Sequence, residues 1–249
     1  QKIFGKFDLC IASNKESEEY LRDLGAKNIK SFGNLKFSNT KNSSNKKLDS
    51  NFFNKIKSRK IWCGASTHPS EEIFCAKSHL EIKKKFNDVL TVIIPRHIDR
   101  VEAINIELKK LNLKTAFYSK SSEIHNDTDI LLVDSYGENL KFYDISKFVF
   151  LGKSTVKSLM MDSGQNPIEP ARLGCKILHG PHVTNFKEIY DYLKTLDITK
   201  EINSPKELSM ALVDKFKENE NKDYKVAEKI DNFGQNILNS VIKELKNYI

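Results

Sequence analysis

Short, mostly apolar runs recur through the middle of the chain and alternate with longer segments of mixed polarity. The runs that predict strands are 60–65, 89–94, 130–133, 148–151 and 176–178, with a further candidate at 115–118. In segment 99–111, apolar residues such as Val101, Ile104 and Leu108 recur at helical spacing, which predicts a helix with one buried face. Strands that are apolar on both faces and alternate with helices are typical of a parallel sheet covered on both sides. The pattern therefore predicts an α/β fold.

The two ends of the chain differ from this regular middle. Runs 7–12 and 28–32 predict strands around a helix at 15–24, so residues 1–37 look like the last part of another α/β domain. Residues 38–50 are almost free of apolar side chains and predict a linker. We therefore expect a complete domain at 51–222, and a C-terminal helix at 223–249 that can pack back on the first domain. The abrupt start, at Gln1 rather than Met, predicts that this is a piece of a longer protein.

Composition narrows the function classes only slightly. A net charge of +8 fits nucleic acid, an anionic membrane face or a phosphorylated ligand, but much of the lysine lies in runs typical of solvated helices. Aromatic residues do not alternate with these lysines, so we predict no nucleic-acid partner. The four cysteines are dispersed, which predicts reduced and mostly buried thiols and no zinc site. No apolar run approaches the roughly 20 residues of a membrane-spanning helix.

Polar residues follow directly after the predicted strands, where ligands bind in doubly wound sheets. These groups are Ser66-Thr67-His68, Arg96-His97, Asp134 to Glu138, Gly152-Lys153-Ser154, and Asn166 with Glu169. Their chemistry suits phosphate and sugar recognition. The hydroxyls of Ser66 and Thr67 predict an anion site or a simple helix cap with equal weight. For Arg96 we favour a phosphate contact over an ion pair with Asp99 or Glu102.

The remaining groups leave two interpretations open. The turn at Gly137, beside Glu138, suits a close approach of the backbone to a ligand, although an ordinary strand-to-helix turn looks the same. Lys153 is either a partner for negative charge or an exposed lysine, and His97 is either a ligand contact or structural. Glu169 is either functional or an acidic residue in the first turn of a helix started by Pro167. No Walker A, G-x-G-x-x-G or nucleophile-elbow motif is present.

Seven short stretches, in order over about residues 1–190, resemble the C-terminal part of the 3-deoxy-D-manno-octulosonic acid (Kdo) transferases, the lipid A glycosyltransferases of Gram-negative bacteria. They are Gly33 to Phe37; Ala65 to Pro69 with Glu71-Glu72; Pro95-Arg96-His97; Asp134 with Gly137-Glu138 and Tyr143; Phe150 to Ser154; Asn166 to Ala171; and Gly180-Pro181 with Asn185-Phe186. The resemblance implies a GT-B fold of two Rossmann-like domains: here one complete domain with a parallel sheet, and the tail end of a second. Residues 1–37 would belong to the acceptor domain and 51–222 to the donor domain.

The resemblance also implies a site and a reaction. CMP-Kdo would be the donor substrate, with no cofactor and no metal, and the acceptor would be a lipid A precursor. The residues implied for donor or nucleotide binding are Ser66, Thr67, Arg96, His97, Gly137, Glu138, Lys153, Ser154, Asn166 and Glu169, with Glu169 on the ribose hydroxyls. Kdo would be transferred with inversion, and Arg96, Lys153 and the helix start at Asn166 would stabilise charge growing on the CMP phosphate.

No catalytic residue is expected in this chain, because the family's carboxylate base lies in the N-terminal domain; we expect donor binding without catalysis by these residues alone. The resemblance places the enzyme at the cytoplasmic face of the bacterial inner membrane. Two alternatives remain: another GT-B enzyme or an epimerase that uses a UDP-sugar, and a noncatalytic nucleotide- or nucleic-acid-binding protein.

The chain departs from the family pattern in three places. Lys153 stands where a second glycine is common, Gln165 where histidine is common, and Asn139 where leucine is expected. The loop at 155–162 is also longer than usual. An amide at position 165 keeps hydrogen bonding but has no titratable proton, so a proton-transfer role there is not supported.

Overall fold

The computed structural model describes residues 3–38, 47–218 and 222–248, and the chain divides into two compact units. Unit 1 comprises Gln1–Ser43 together with Lys225–Ile249, and unit 2 comprises Ser44–Tyr224. Most of the predicted linker, 38–50, lies outside the described residues. Each unit is described separately below.

The elements follow one another in chain order. The strands are β1 (Cys10–Ala12), β2 (Ile29–Ser31), β3 (Lys60–Thr67), β4 (Val89–Pro95), β5 (Thr115–Phe117), β6 (Ile130–Leu132), β7 (Phe148–Leu151), β8 (Lys176–His179) and β9 (Thr199–Glu201). The helices are α1 (Lys15–Asp23), α2 (Ser50–Ile56), α3 (Glu71–Lys83), α4 (Val101–Lys110), α5 (Asn139–Ile145), α6 (Ile168–Arg172), α7 (Lys187–Thr195), α8 (Pro205–Glu218) and α9 (Lys225–Leu245).

Unit 2 is built on one parallel sheet with the strand order β5-β6-β4-β3-β7-β8-β9. The strand order reverses between β3 and β7, so the carboxyl ends of these two strands form the switch point where such sheets bind ligands. All residues of β4, β6 and β7 are buried, as their continuous apolar runs predict. The core includes Trp62, Phe148 and Phe150. The predicted fold class, α/β of the GT-B type, is confirmed.

Unit 1 contains a parallel pair of short strands, β1 and β2, joined by α1. The helix α9 packs against the turn Leu35–Ser38, which carries the buried Phe37. The rings of Phe37 and Phe233 meet edge to face, with their centroids 4.9 Å apart. Gly234 lies so close to this turn that an added Cβ would be 2.1 Å from the Phe37 carbonyl oxygen. The turn and the helix therefore share one small core.

The observed elements differ from the predicted ones mainly at their ends. The first strand begins at Cys10 rather than Phe7, whose side chain is exposed. The sequence pattern also did not predict α2, α7 or the edge strand β9, which reads Thr-Lys-Glu and has two exposed residues. An edge strand buries little surface, so it leaves no apolar signal. All four cysteines are free and buried, and none of the described helices is long and apolar enough to cross a membrane.

Candidate functional site

A cleft of about 280 Å³ opens at the carboxyl edge of the unit 2 sheet. Ser66 reaches it from the end of β3, Arg96 follows β4, Gly137 precedes α5, and Glu169 lies in the first turn of α6. These segments are far apart in the chain and meet here because parallel strands end at the same edge. Four of the ten residues predicted for the site therefore line one cleft.

Arg96 and Glu169 carry opposite charges into this cleft. Both side chains are exposed, and neither forms a hydrogen bond or an ion pair with another residue that the structure describes. In particular, Arg96 makes no ion pair with Asp99 or Glu102, the alternative that the sequence left open. Each side chain can therefore form its strongest contacts with a ligand, a guanidinium with a phosphate and a carboxylate with hydroxyl groups.

The backbone directs Ser66 toward the cleft. The register between β3 and β4 shifts between Ala65 and Thr67, so Ser66 forms a bulge in β3. Its φ is +53°, in the left-handed region that costs a residue with a side chain about 1–2 kcal/mol. Bulges of this kind re-aim side chains near functional sites. The apolar run of β3 contains no signal for the bulge.

Tyr136 is a cleft residue from the predicted group Asp134 to Glu138, but the sequence analysis gave it no individual role. It lines the cleft beside Gly137, and its side chain is 66% exposed. An exposed aromatic ring at the edge of a polar cleft is a natural platform for a nucleobase or a sugar. Gly137 has a φ of +79°, and apart from its chain neighbours no described atom lies within 4 Å of an added Cβ, so the backbone next to the ring is open. An aromatic residue in a glycine turn after a strand was the available signal.

Three further predicted residues do not line the cleft. Thr67 is fully buried, and its hydroxyl has no partner in the part of the chain that is described. His97 is exposed and packs edge to face on the ring of His68, 5.9 Å away. Burial above all lowers the pKa of His68, with the nearby Glu71 carboxylate opposing that shift. Glu138 forms an ion pair of 2.7 Å with Lys141, one turn later.

The other three predicted residues are held by the protein itself. The Lys153 ammonium pairs with Asp162 at 2.7 Å. The Ser154 hydroxyl donates to the Leu151 carbonyl and accepts from the Gly180 N–H, and the residue is fully buried. The Asn166 side chain accepts from the Ile168 N–H at the start of α6. The Ser154 hydroxyl is thus turned inward by two hydrogen bonds within the protein, and its role in donor binding stays a prediction.

A buried carboxylate occupies the switch point between β3 and β7. Glu71 is fully buried, and its Oε2 accepts hydrogen bonds from the backbone N–H groups of His68 and Lys153, at 2.9 and 2.7 Å. Its Oε1 accepts from the N–H groups of Ser154 and Thr155, both at 3.0 Å, and from the Thr155 hydroxyl. The amides that a phosphate would need at this loop are therefore taken by Glu71.

The next residue, Glu72, is also structural. Its carboxylate is 99% buried and receives two parallel hydrogen bonds from the Arg100 guanidinium, at 3.0 and 3.1 Å. This fork links α3 to the segment that follows β4 and Arg96.

Sequence comparison finds relatives of this chain among the Kdo transferases. The chain is 31% identical over 207 residues to a 3-deoxy-D-manno-octulosonic acid transferase of Haemophilus influenzae, covering 82% of this chain and 48% of that protein. It is 27% identical over 215 residues to the enzyme of the same name from Aquifex aeolicus, covering 86% and 56%. The resemblance to the Kdo transferases is confirmed. No family model matches the chain, and the chain spans about half the length of the curated Kdo transferases it matches.

Solved structures show the same fold. The C-terminal CMP-Kdo binding domain of WaaA from Acinetobacter baumannii superposes with a TM-score of 0.63 at 23% identity, over 76% of this chain and 95% of that domain. A UDP-N-acetylglucosamine 2-epimerase superposes with a TM-score of 0.56 at 14% identity, over 98% of this chain and 59% of the epimerase. At 23% and 14% identity, these two superpositions show only that this chain and the two proteins share a fold.

Proposed function

We propose that this chain is the donor-binding part of a Kdo transferase and that the cleft between Arg96 and Glu169 binds CMP-Kdo. The proposal rests above all on these two side chains, which face the cleft and have no partner among the described residues. It is supported by the sequence similarity to Kdo transferases and by the fold shared with a CMP-Kdo binding domain. CMP-Kdo enters as a substrate, and the proposal requires no cofactor.

Each cleft residue has a role that follows from its chemistry. The Arg96 guanidinium binds the phosphate of CMP and stabilises the negative charge that grows there as the glycosidic bond breaks. The Glu169 carboxylate accepts hydrogen bonds from the ribose hydroxyls, and Tyr136 stacks on the base or the sugar. Ser66 and the open backbone at Gly137 complete the contacts. Because Glu71 already accepts the hydrogen bonds of the backbone amides in the Lys153–Thr155 loop, Arg96 is the main group that binds the phosphate.

The complete enzyme would transfer Kdo, with inversion, to a lipid A precursor at the cytoplasmic face of the bacterial inner membrane. The support for this acceptor is the family similarity, and the net charge of +8 suits an anionic membrane surface. Binding to vesicles containing phosphatidylglycerol, but not to neutral vesicles, is the expected result. Equal binding to both vesicle types, or to neither, contradicts a membrane role for this chain.

Titration calorimetry tests the donor site directly. We expect CMP to bind more tightly than UMP, UDP or AMP, and Glu169→Gln to weaken CMP binding by about tenfold, the loss of one or two charged hydrogen bonds. The change should have no effect on 2′,3′-dideoxycytidine monophosphate, which lacks both ribose hydroxyls. Arg96→Gln should weaken CMP but leave cytidine unchanged.

Two outcomes would contradict the proposal. Equal affinity for CMP and AMP would show that the cleft does not read a pyrimidine, and a preference for UDP would favour the epimerase-like alternative suggested by the shared fold. Glu102→Gln, an exposed carboxylate in the first turn of α4 that does not line the cleft, is the matched control and should bind CMP as the wild type does.

A further inference from the structure

A second cavity, of about 400 Å³, lies between α7 and the edge strand β9 and shares no lining residue with the cleft of Arg96 and Glu169. We call it the α7–β9 pocket and define it by His179, Tyr190, Asp191, Lys194 and Glu201. Its volume falls within the roughly 300–1,000 Å³ typical of small-molecule sites. None of these residues was predicted to be functional from the sequence.

A buried imidazole lines the inner part of this pocket. His179, at the end of β8, is 93% buried, and its ring packs on that of Tyr190 with the centroids 4.4 Å apart. Its Nδ1 lies 2.7 Å from the Gly180 carbonyl oxygen, which can only accept, so Nδ1 carries the proton. Burial lowers the pKa of the ring, which is therefore neutral at pH 7.

The other ring nitrogen is left free for a ligand. In a neutral ring protonated at Nδ1, Nε2 is a hydrogen-bond acceptor. No residue in the described parts of the chain forms a hydrogen bond with His179 Nε2. The Nε2 atom is not among the buried polar atoms without a partner, so it is open to the pocket and a donor there can reach it. A ligand hydroxyl is one group that can donate to Nε2.

Charged side chains surround the mouth of the pocket. Lys187, Asp191 and Lys194 lie on one face of α7, where Lys187 pairs with Asp191 at 2.7 Å and Lys194 forms no ion pair with any described residue. Glu201 lies in register with His179 across the β8–β9 pair, so both side chains point to the same face of the sheet. Both Lys194 and Glu201 are close enough to His179 to influence its pKa.

These groups together specify a class of ligand. His179 Nε2 and Glu201 accept hydrogen bonds from hydroxyl groups, Lys194 binds an anionic group, and the paired rings of His179 and Tyr190 offer an apolar surface. The described residues contain no cluster of metal-ligating side chains, so a metal ion does not account for the free nitrogen. We infer that the α7–β9 pocket binds a hydroxylated anion, such as a sugar phosphate or a sugar acid, independently of the cleft.

The pocket is also linked to the segment that carries Glu169. The Tyr190 hydroxyl donates to the Gln165 carbonyl at 3.2 Å, one residue before Asn166. A ligand that contacts the rings of His179 and Tyr190 therefore contacts a residue that is hydrogen-bonded to this segment. The link gives a spectroscopic signature, because the backbone resonances of Gln165 should shift when the pocket is filled.

Nuclear magnetic resonance titration with glucose 6-phosphate, glucose and inorganic phosphate tests the inference. Glucose 6-phosphate should shift the resonances of His179, Tyr190 and Gln165 and should bind at least tenfold more tightly than either fragment. Glucose 6-phosphate should cause the same shifts when CMP is also present at a saturating concentration, because the two cavities share no lining residue. Glucose 6-phosphate binding that is abolished by CMP, or no shifts up to roughly 20 mM ligand, would overturn the inference.

Substitutions at His179 and Lys194 test separately the recognition of the hydroxyl groups and of the phosphate. His179→Asn keeps a donor at the position of Nδ1 and removes Nε2, so it should weaken both glucose and glucose 6-phosphate about fivefold or more. His179→Gln, which can place an acceptor near Nε2, should recover part of this loss. Lys194→Gln should weaken glucose 6-phosphate alone, and Lys110→Gln, an exposed lysine on α4, should change nothing.

Thermal unfolding of each variant shows whether it is folded before its affinity is interpreted. Lys194→Gln changes an exposed residue, so it keeps the test decisive even where a His179 variant is destabilised. Phosphate that binds as tightly as glucose 6-phosphate, with no effect of either substitution, would reduce the pocket to a lysine surface and contradict the inference. If the wild type bound glucose 6-phosphate as expected but did not bind CMP, the proposed donor site would be contradicted and the α7–β9 pocket would not.

Discussion

The Glu71 Oε1 atom lies 3.0 Å from the backbone nitrogen of Ser154, which joins two segments 83 positions apart in the chain. The same carboxylate caps the turn before α3 through His68 and holds the N–H groups of the loop after β7. It does so at the switch point of the sheet, where related architectures leave amides free for a ligand. The protein therefore uses its own anion to fix the shape of this edge.

Glu71→Gln should destabilise the chain substantially. The amide keeps one oxygen and presents an N–H₂ group to backbone donors that need an acceptor, so buried N–H groups lose their partners. We expect a loss of about 3 kcal/mol in the free energy of unfolding, because a buried charge with several hydrogen bonds is replaced. The midpoint of thermal unfolding, followed by circular dichroism, should fall by roughly 6–12 °C.

Glu81→Gln is the control for this change, since Glu81 lies on the same helix and pairs with Lys84 at the exposed surface. Its unfolding midpoint should stay close to that of the wild type. If Glu71→Gln unfolded at the same temperature as Glu81→Gln, the loop after β7 would have to be held by other contacts.

Gly152→Ala tests how tightly the same edge is packed. An added Cβ would lie 2.6 Å from both Glu71 Oε2 and the Ser66 carbonyl oxygen, and 2.7 Å from Thr67 Cα. Backbone atoms cannot move aside at low cost, so we expect destabilisation of about 3 kcal/mol or more, measured by urea unfolding. A side chain is thus excluded at Gly152 by both its neighbours and the bulge at Ser66.

Gly137→Ala supplies the comparison for Gly152→Ala. Nothing lies within 4 Å of its added Cβ, but its φ is +79°, so the cost should be about 1 kcal/mol and purely conformational. Equal destabilisation by the two substitutions would contradict the close packing at Gly152.

The fold of unit 2 could be predicted from the sequence because its central strands are buried on both faces. The runs at β4, β6 and β7 are apolar except for Thr91, and their observed bounds lie within one residue of the predicted ones. The edge strand β9 and the helix α7 escaped prediction. The edge strand β9 has two exposed residues and needs no apolar run, so its sequence carries no strand signal. The helix α7 does carry a helical pattern, with Ile189, Tyr190 and Leu193 buried on one face, and this signal was overlooked.

The site could be predicted in outline but not in detail. The rule that ligands bind at the carboxyl ends of parallel strands identified Ser66, Arg96, Gly137 and Glu169, which line one cleft. Position after a strand does not show which way a side chain points. Ser154 turned inward to bond Leu151 and Gly180, whereas Tyr136 turned out into the cleft. Those directions depend on tertiary contacts between residues distant in sequence.

Asp129→Asn should remove a pH-dependent part of the stability. Burial opposes ionisation of Asp129, but hydrogen bonds from His79, Lys83 and the Lys114 N–H outweigh it and hold its pKa well below the usual range. A carboxylate whose pKa is depressed in the folded state stabilises the protein above its unfolded pKa, near 3.9, and loses that contribution as the pH falls toward the folded value. The variant should therefore be less stable than the wild type at pH 7.

Urea unfolding at a series of pH values measures this contribution. The difference between wild type and Asp129→Asn should be about 2–3 kcal/mol at pH 7 and should shrink below about pH 5. Asp127→Asn, which removes an exposed carboxylate paired with Lys114, is the control and should show a much smaller difference. A difference that stays constant down to pH 3 would mean that Asp129 is not ionised in the folded protein.

Gly234→Ala should loosen α9 within unit 1, although alanine favours helices. On helix propensity alone the substitution would stabilise α9 by about 1 kcal/mol. The added Cβ would, however, lie 2.1 Å from the Phe37 carbonyl oxygen, so the helix must move away from the turn that carries Phe37. The sign of the effect therefore distinguishes packing from propensity. Hydrogen exchange should show amides of 226–242 exchanging at least about tenfold faster than in the wild type. The control is Ser240→Ala, at an exposed position on the same helix, which should leave exchange in this segment unchanged or slower. Slower exchange in Gly234→Ala would mean that α9 does not pack against Phe37.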